Sequence, residues 1–132
     1  MRDRTPPDLQ APRTVLIVDD ESSMRLLVHA TIESEDFVAL EAADGVAAWA
    51  MIQEHRPSLV LLDVQMPGRS GLDLLRSVRA DPSLRGTRVI LLTSRAQEND
   101  VEVGLISGAD FYLTKPFSPL DLLTRVEEAL RL

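Results

Sequence analysis

The sequence contains no cysteine, which excludes disulfide bonds and metal sites built from thiolates. It has no run of about 18 apolar residues, the length that a membrane-spanning helix needs, and its N-terminus lacks the apolar segment of a secretory signal. We therefore expect a cytoplasmic protein without a membrane partner. Basic residues are outnumbered, since 14 lysines and arginines against 21 acids give a formal net charge of −7. Because nucleic-acid phosphates call for a basic face, direct nucleic-acid binding by this domain is not expected.

The length of 132 residues allows one domain with a substantial core and is too short for two. Residues 1–13 carry three prolines and mixed charge without periodicity, which is typical of a flexible tail. The folded domain is therefore expected over residues 14–132.

Five short apolar runs, each followed by polar or turn-forming residues, predict five β-strands. Amphipathic segments after each run predict five helices, and Ser22 or Ser23 is expected to cap the first of them, with Leu27 among its inward residues. Strands that alternate with helices are typical of a parallel sheet covered on both faces. The predicted strands cover residues 15–18, 37–42, 58–62, 88–92 and 111–113, and the predicted helices cover about 24–32, 46–54, 72–78, 98–106 and 118–130.

Polar or charged residues stand where four of these strands end. Asp19 and Asp20 follow the first strand, Asp63 the third, Thr93 the fourth and Lys115 the fifth. The carboxyl ends of parallel strands lie at one edge of the sheet, where ligands bind. Carboxylates brought together there repel one another and raise each other's pKa, and a hard divalent cation removes that cost. Oxygen ligands without cysteine or paired histidines indicate Mg²⁺ or Mn²⁺.

The same edge holds the components of a site for a phosphoryl group. The ammonium of Lys115 and the hydroxyl of Thr93 supply a positive charge and a hydrogen-bond donor beside the cation. The carboxylate of Asp63, at the end of the central strand, can act as a nucleophile and form an acyl phosphate.

Four segments at these strand ends match one family by their order, position and spacing, although each alone is a weak signal. From about Thr14 to Leu132 the chain resembles the receiver domain of two-component response regulators and is similar to the chemotaxis response regulator. The resemblance implies a three-layer α/β fold, flavodoxin-like and doubly wound (βα)5, with a five-stranded parallel sheet of order 2-1-3-4-5. The matching segments are Val18-Asp19-Asp20-Glu21, Leu62-Asp63-Val64-Gln65-Met66-Pro67 with Gly71, Leu91-Leu92-Thr93-Ser94, and residues 108–117.

The resemblance also implies roles for the acids. Asp63 would accept a phosphoryl group from a histidine kinase or a histidine phosphotransfer protein. Asp20 and Asp63 would bind Mg²⁺ (or Mn²⁺) with the backbone carbonyl of Gln65, and Asp19 would hold a metal-bound water. The domain would catalyse only its own phosphorylation and dephosphorylation and would otherwise not be an enzyme.

The resemblance further implies how the phosphoryl group is sensed. Thr93 and Lys115 would contact the phosphoryl oxygens, and Tyr112 would move with Thr93 as a switch. The Lys115–Pro116 peptide bond would be cis. Phe111 stands where many winged-helix members carry an acid used in dimer salt bridges, so their dimer mode does not carry over directly.

The output surface implied by the resemblance consists of the helix over residues 98–106, the strand over residues 111–113 and the helix over residues 118–130. A downstream protein or a second copy of the chain would bind there. The chain is expected to be either a stand-alone receiver or the N-terminal part of a longer regulator with a DNA-binding or enzymatic output domain.

Three other functions fit the residues less well. An aspartyl-phosphate phosphatase wants a second acid two residues after its nucleophile, where this chain has Gln65. A nucleotide-binding enzyme would need a Gly-rich dinucleotide fingerprint or a P-loop, and the sequence has neither. A purely structural interaction module would not need the complete set of acids, hydroxyl and lysine. His29 and His55 are expected to be neither metal ligands nor phosphohistidines.

Overall fold

A computed structural model describes residues 12–66, 69–94 and 98–131, the side chains of residues 98–101 excepted. All five strands lie in one sheet of order β2-β1-β3-β4-β5, and every neighbouring pair is parallel. The fold class and strand order predicted above are thereby confirmed. The strands are β1 Arg13–Val18, β2 Phe37–Ala42, β3 Leu59–Asp63, β4 Arg88–Thr93 and β5 Phe111–Thr114, and the helices are α1 Ser22–Ile32, α2 Gly45–His55, α3 Gly71–Ala80, α4 Glu98–Ile106 and α5 Pro119–Arg131.

Two apolar clusters cover the two faces of the sheet and make the three layers. Successive side chains of a strand point to opposite faces, so Leu16 of β1 packs in one cluster and Ile17 in the other. The first cluster joins the sheet to α2 and α3, and the second joins it to α1 and α5. β3 is buried along its whole length, as a central strand covered on both sides must be.

The first strand begins earlier than the sequence predicted. β1 starts at Arg13, inside the segment expected to be a tail, and Arg13 pairs in register with Phe37 of β2. Residues 1–11, to which the rest of that prediction applies, lie outside the described residues. None of the helices that the structure describes combines the length and the apolar content needed to cross a bilayer.

The first helix departs from the sequence prediction in two respects. Its N-cap is Glu21 rather than Ser22 or Ser23, because Oδ1 of Asp19 accepts the N–H of Glu21 at 3.0 Å and turns the chain into the helix sooner. Leu27, predicted to face inward, is 48% exposed. Val28 and Ile32, which were predicted on the same face, are buried, and their spacing of four residues places them on one side of the helix.

The last helix and the turn before β5 follow the sequence prediction. Oγ of Ser118 accepts the N–H of Asp121 at 3.1 Å, as an N-cap should. Gly108 has a φ of +111°, and the N–H of Ala109 bonds back to the carbonyl of Gly104 at 3.0 Å. Glycine adopts this φ without the steric cost that a Cβ would add. These two turns lie on either side of β5, whose last residue directly precedes Lys115.

Candidate functional site

The candidate functional residues lie at the ends of four parallel strands. Asp63 is the last residue of β3 and Thr93 the last residue of β4. Asp19 directly follows β1, and Lys115 directly follows β5. The strands run in the same direction, so all these residues meet at one edge of the sheet.

The structure brings together the group that we call the acid pocket: Asp19, Asp20, Asp63 and Lys115. The three carboxylates each offer an oxygen atom within 4.8 Å of the others. Nζ of Lys115 lies 2.8 Å from Oδ2 of Asp19 and 3.6 Å from Oδ2 of Asp63. Asp19 and Asp63 are buried whereas Asp20 is exposed, so the pocket opens to solvent on the Asp20 side.

The electrostatics of Asp63 reflect this crowding. Burial is the main cause that raises the pKa of Asp63 from 3.8 to about 7, and the charges of Asp19 and Asp20 raise it further. The ammonium of Lys115 and the N–H of Gln65, which donates to Oδ1 of Asp63 at 3.3 Å, act in the opposite direction. Without a cation, the protein thus holds this carboxylate at a cost in free energy.

Lys115 responds to the same neighbours. Burial lowers the pKa of Lys115, but its hydrogen bond to Asp19 and the negative charges of Asp63 and Asp19 outweigh burial, so the net shift is upward. The side chain therefore stays a cation at neutral pH and supplies a fixed positive charge beside Asp63.

The donor set of the pocket fits a hard divalent cation. Carboxylate oxygens are the ligands that Mg²⁺ prefers, and Mg²⁺ usually keeps several waters. The exposed Asp20 leaves room for such waters, because it lines an open hollow of about 460 Å³ with Gln65, Met66 and Ser70. A bound cation would also relieve the repulsion that raises the pKa of Asp63. The residues present therefore fit the cation predicted from the sequence.

Thr93 and Tyr112 lie on neighbouring strands beside the pocket. Thr93 is buried, and its register partner on β5 is Thr114. Tyr112 pairs with Leu91 and is 44% exposed, so its ring reaches the surface. The backbone N–H of Lys115 donates to the carbonyl of Thr93 at 2.6 Å. The Lys115–Pro116 peptide bond is cis, as the resemblance implied.

The loop after β3 approaches Asp63 closely. The N–H of Gly71 donates to the carbonyl of Val64 at 3.0 Å. A Cβ at position 71 would overlap the carbonyl oxygen of Asp63. This contact holds the start of α3 against the end of β3, and only glycine allows it.

A comparison with protein families identifies the family of this chain. Residues 15–127 match the family model described as the response regulator receiver domain. The chain belongs to this family. The match extends from Val15, the third residue of β1, to Glu127 within α5, so it includes at least part of every strand and the whole acid pocket.

Two relatives of this receiver domain are named as transcriptional or DNA-binding regulators. The phosphate regulon transcriptional regulatory protein PhoB of Pseudomonas aeruginosa is 40% identical over 119 residues, which are 90% of this chain and 52% of that protein. The DNA-binding response regulator MtrA of Mycobacterium tuberculosis H37Rv is 40% identical over 117 residues, 89% of this chain and 50% of that protein. The receiver domain thus spans about half the length of the curated relatives it matches.

Solved structures match the receiver domain over nearly its whole length. A putative response regulator from Chloroflexus aurantiacus superposes with a TM-score of 0.87 at 30% identity, covering 92% of this chain and 100% of that one. The chemotaxis response regulator CheY4 of Vibrio cholerae gives a TM-score of 0.84 at 32% identity, covering 91% and 100%. The second match is in accord with the resemblance inferred from the sequence.

Sequence reasoning missed two long-range ion pairs, of which the first contacts the acid pocket. Arg25 of α1 donates to the backbone carbonyl of Asp19 and pairs with Glu41 of β2. The second pair lies away from the pocket, near the amino ends of β4 and β5, where Arg79 of α3 pairs with Asp110. The partners lie 16 and 31 residues apart, and no local pattern marks such pairs. The one local signal for the first pair is the position of Arg25, five residues after Asp20.

Proposed function

We propose that this receiver domain is a switch that accepts a phosphoryl group on Asp63. One observation carries the proposal: a buried carboxylate at the end of the central strand lies 3.6 Å from a lysine ammonium and beside two further acids. Such a site can hold a cation and a phosphoryl group together, since the two positive charges offset the charge on the transferred oxygens.

The proposed chemistry is a displacement at phosphorus. An ionised oxygen of Asp63 attacks the phosphorus of a phosphohistidine on a histidine kinase or a histidine phosphotransfer protein. The P–N bond breaks, a P–O bond to Asp63 forms, and the histidine nitrogen takes up a proton. Lys115 contacts the phosphoryl oxygens, and the hydroxyl of Thr93 donates a hydrogen bond to one of them.

Asp20, Asp63 and the backbone carbonyl of Gln65 would hold Mg²⁺, and Asp19 would hold one of its waters. The bound ion neutralises charge on the phosphoryl oxygens. Asp19 already uses both carboxylate oxygens, since Oδ1 accepts the N–H of Glu21 and Oδ2 accepts from Lys115. This arrangement supports an indirect role for Asp19, whereas Asp20 is exposed and reaches solvent-borne ions directly.

Phosphorylation itself provides the test. Incubation of the full chain with acetyl phosphate and Mg²⁺ should give one phosphoryl adduct by intact mass, labile to base. Asp63→Asn should abolish the adduct because it removes the nucleophilic oxygen. Asp73→Asn, which changes an exposed acid on α3, should leave the adduct in place. An undiminished adduct in Asp63→Asn would show that another residue is the acceptor.

We further propose that Thr93 and Tyr112 pass the signal to the surface made by α4, β5 and α5. Movement of the Thr93 hydroxyl toward a phosphoryl oxygen leaves space behind it, which the exposed ring of Tyr112 can enter. Exposed apolar side chains lie on this surface, including Ile106 at 87% and Leu120 at 73% exposure. A downstream protein or a second copy would bury them.

Thr93→Ala should still accept a phosphoryl group on Asp63 but transmit it poorly. Amide NMR with and without beryllofluoride, a phosphoryl mimic, checks this across residues 98–125. The parent should show shifts over this range, and the variant should show fewer and smaller ones. Thr87→Ala removes another buried threonine, at the far end of β4, and should respond like the parent. Shifts of full parental size in Thr93→Ala would contradict the coupling.

The proposed effect of phosphorylation depends on whether the receiver domain stands alone or is part of a longer regulator. A stand-alone receiver would act through a protein partner at the α4–β5–α5 surface. As the N-terminal part of a longer regulator, the domain would control a DNA-binding or enzymatic unit, and the names of PhoB and MtrA favour DNA binding. Phe111 is half-buried under the guanidinium of Arg125, 5.7 Å from the ring centroid. A dimer through this surface would therefore use an aromatic contact where an acid would make an ion pair.

An aspartyl-phosphate phosphatase has less support as a function. Its general acid would have to stand at Gln65, whose side chain is an amide without an acidic proton. Autodephosphorylation by water is the hydrolytic chemistry that the pocket supports.

A further inference from the structure

Arg25 connects the residue that follows β1 with β2, the strand at one side of the sheet. Its Nη1 donates to the backbone carbonyl of Asp19 at 2.8 Å, and its Nε donates to Oε1 of Glu41 at 3.1 Å. Its side chain is only 18% exposed. Two charge-assisted hydrogen bonds from one planar guanidinium fix its orientation far better than a single bond could.

The carbonyl that Arg25 holds belongs to the peptide unit joining Asp19 to Asp20. A peptide unit is planar, so fixing its oxygen also fixes the direction in which the chain enters Asp20. The N–H of Asp19 is held as well, by the carbonyl of Ala42 at 3.2 Å. Asp20 is exposed, so its carboxylate takes its direction from the backbone and not from packing around the side chain.

Glu41 is itself held in place, which makes the bridge rigid. Oε2 of Glu41 lies 2.8 Å from Nδ1 of His29. Nε2 of the same ring lies 3.0 Å from Oε2 of Glu33, which accepts the N–H of Ala39 at 2.9 Å. Side chains of α1 are thus tied to β2 at several points, and Arg25 connects this network to the acid pocket.

We propose that Arg25 is a positioning residue for cation binding: it sets the Asp19–Asp20 peptide plane and thereby aims the Asp20 carboxylate at the site it shares with Asp63. The inference rests on the proposed function, because it concerns the same Mg²⁺ site. Glu41 acts through Arg25 and keeps the guanidinium in place.

The sign of the effect separates this role from simple electrostatics. Arg25 is a cation near a site for another cation. If its electrostatic repulsion of Mg²⁺ were its only effect, removing its charge should strengthen Mg²⁺ binding. Positioning predicts the opposite, weaker binding. Groups that orient metal ligands typically account for at least tenfold in metal affinity. Arg25→Lys keeps the charge but loses the planar guanidinium with its two N–H donors, so positioning predicts weaker Mg²⁺ binding by this variant as well.

The test is Mg²⁺ titration calorimetry on the full chain after removal of metals. We expect Arg25→Met and Arg25→Lys each to raise the Kd for Mg²⁺ roughly tenfold. Glu41→Gln should raise it less. Because Glu41 acts through Arg25, the double variant Arg25→Met/Glu41→Gln should bind no more weakly than Arg25→Met alone. The amide signal of Asp20 should shift in both Arg25 variants before any Mg²⁺ is added.

Two controls separate positioning from a loss of stability. Ile32→Val trims a buried residue of α1 away from the pocket and should lower the melting temperature without changing the Kd. Arg76→Met removes an exposed arginine of α3 and should change neither. Parental or tighter Mg²⁺ binding by Arg25→Met overturns the inference, and so does a tenfold loss in Ile32→Val. Failure of the parent chain to bind Mg²⁺ would instead overturn the proposed function itself.

Discussion

Asp63→Asn should make the metal-free protein more stable at pH 8, by about 2–4 kcal/mol. The pKa of Asp63 is raised from 3.8 to about 7, mainly by burial. Above that pKa the folded protein has to hold a buried carboxylate next to two other acids. An asparagine fills nearly the same volume and carries no charge, so the variant avoids this cost.

The pH dependence of this effect has a defined direction. Between pH 4 and pH 7 the folded state keeps the proton of Asp63 whereas the unfolded chain has lost it, so the folded state binds more protons. The free energy of unfolding of the parent must therefore fall as pH rises through this window. The gain from Asp63→Asn should be close to zero at pH 4, grow up to about pH 7 and stay constant above it.

Urea unfolding of parent and variant at pH 5 and pH 8, in the presence of EDTA, measures the difference. Asp36→Asn changes an exposed acid in the turn before β2, and its difference from the parent should be the same at both pH values. Saturating Mg²⁺ should stabilise the parent more than Asp63→Asn, because a ligand of the folded state alone raises stability. A gain that does not grow with pH would contradict the burial of a charged Asp63.

Gly71→Ala should lower the stability of the domain by about 2–3 kcal/mol and impair phosphorylation. A Cβ at this position would overlap the carbonyl oxygen of Asp63 and come within 3.0 Å of Cα of Val64. Both are backbone atoms and cannot turn aside as a side chain could. The start of α3 must then move away from β3, and the end of β3 carries Asp63, the proposed phosphoacceptor.

Gly86→Ala is the matched control, because a Cβ there would meet no atom within 4 Å. It should leave stability unchanged or raise it slightly, since alanine reduces the freedom of the unfolded chain. Thermal unfolding and the yield of the acetyl phosphate adduct, measured on both variants, make the comparison. Equal behaviour of the two glycine variants would show that the contact at Gly71 is not tight in solution.

The fold and the convergence of the strand-end residues could be predicted from the sequence because both depend on short-range signals. Apolar runs that end in Asp63 and Lys115 place those residues at strand ends, and parallel strands put such ends at one edge. The caps at Ser118 and Gly108 are likewise local. The role of each residue in phosphoryl transfer came from the family resemblance and stays a proposal.

What the sequence could not predict depends on how distant elements meet. Leu27 has an apolar side chain at helical spacing, yet the rotation of α1 against the sheet leaves it half exposed. The Asp19 side chain, and not a serine, sets the start of α1. The pairing of Arg25 with Glu41 requires the register of β2 against β1, which hydrophobic periodicity does not specify.

The two ends of the described chain lie together, since Nη1 of Arg13 donates to the carbonyl of Leu130 at 3.3 Å. Arg13 opens β1, whereas the acids follow the strands' carboxyl ends, so this junction is at the opposite pole of the domain from the acid pocket. A fluorescent protein fused to residue 12 or residue 131 would therefore lie away from the acid pocket. The proximity of these two residues also makes the domain suited to circular permutation, with a short linker joining them and new termini cut at an exposed turn such as that of Gly86.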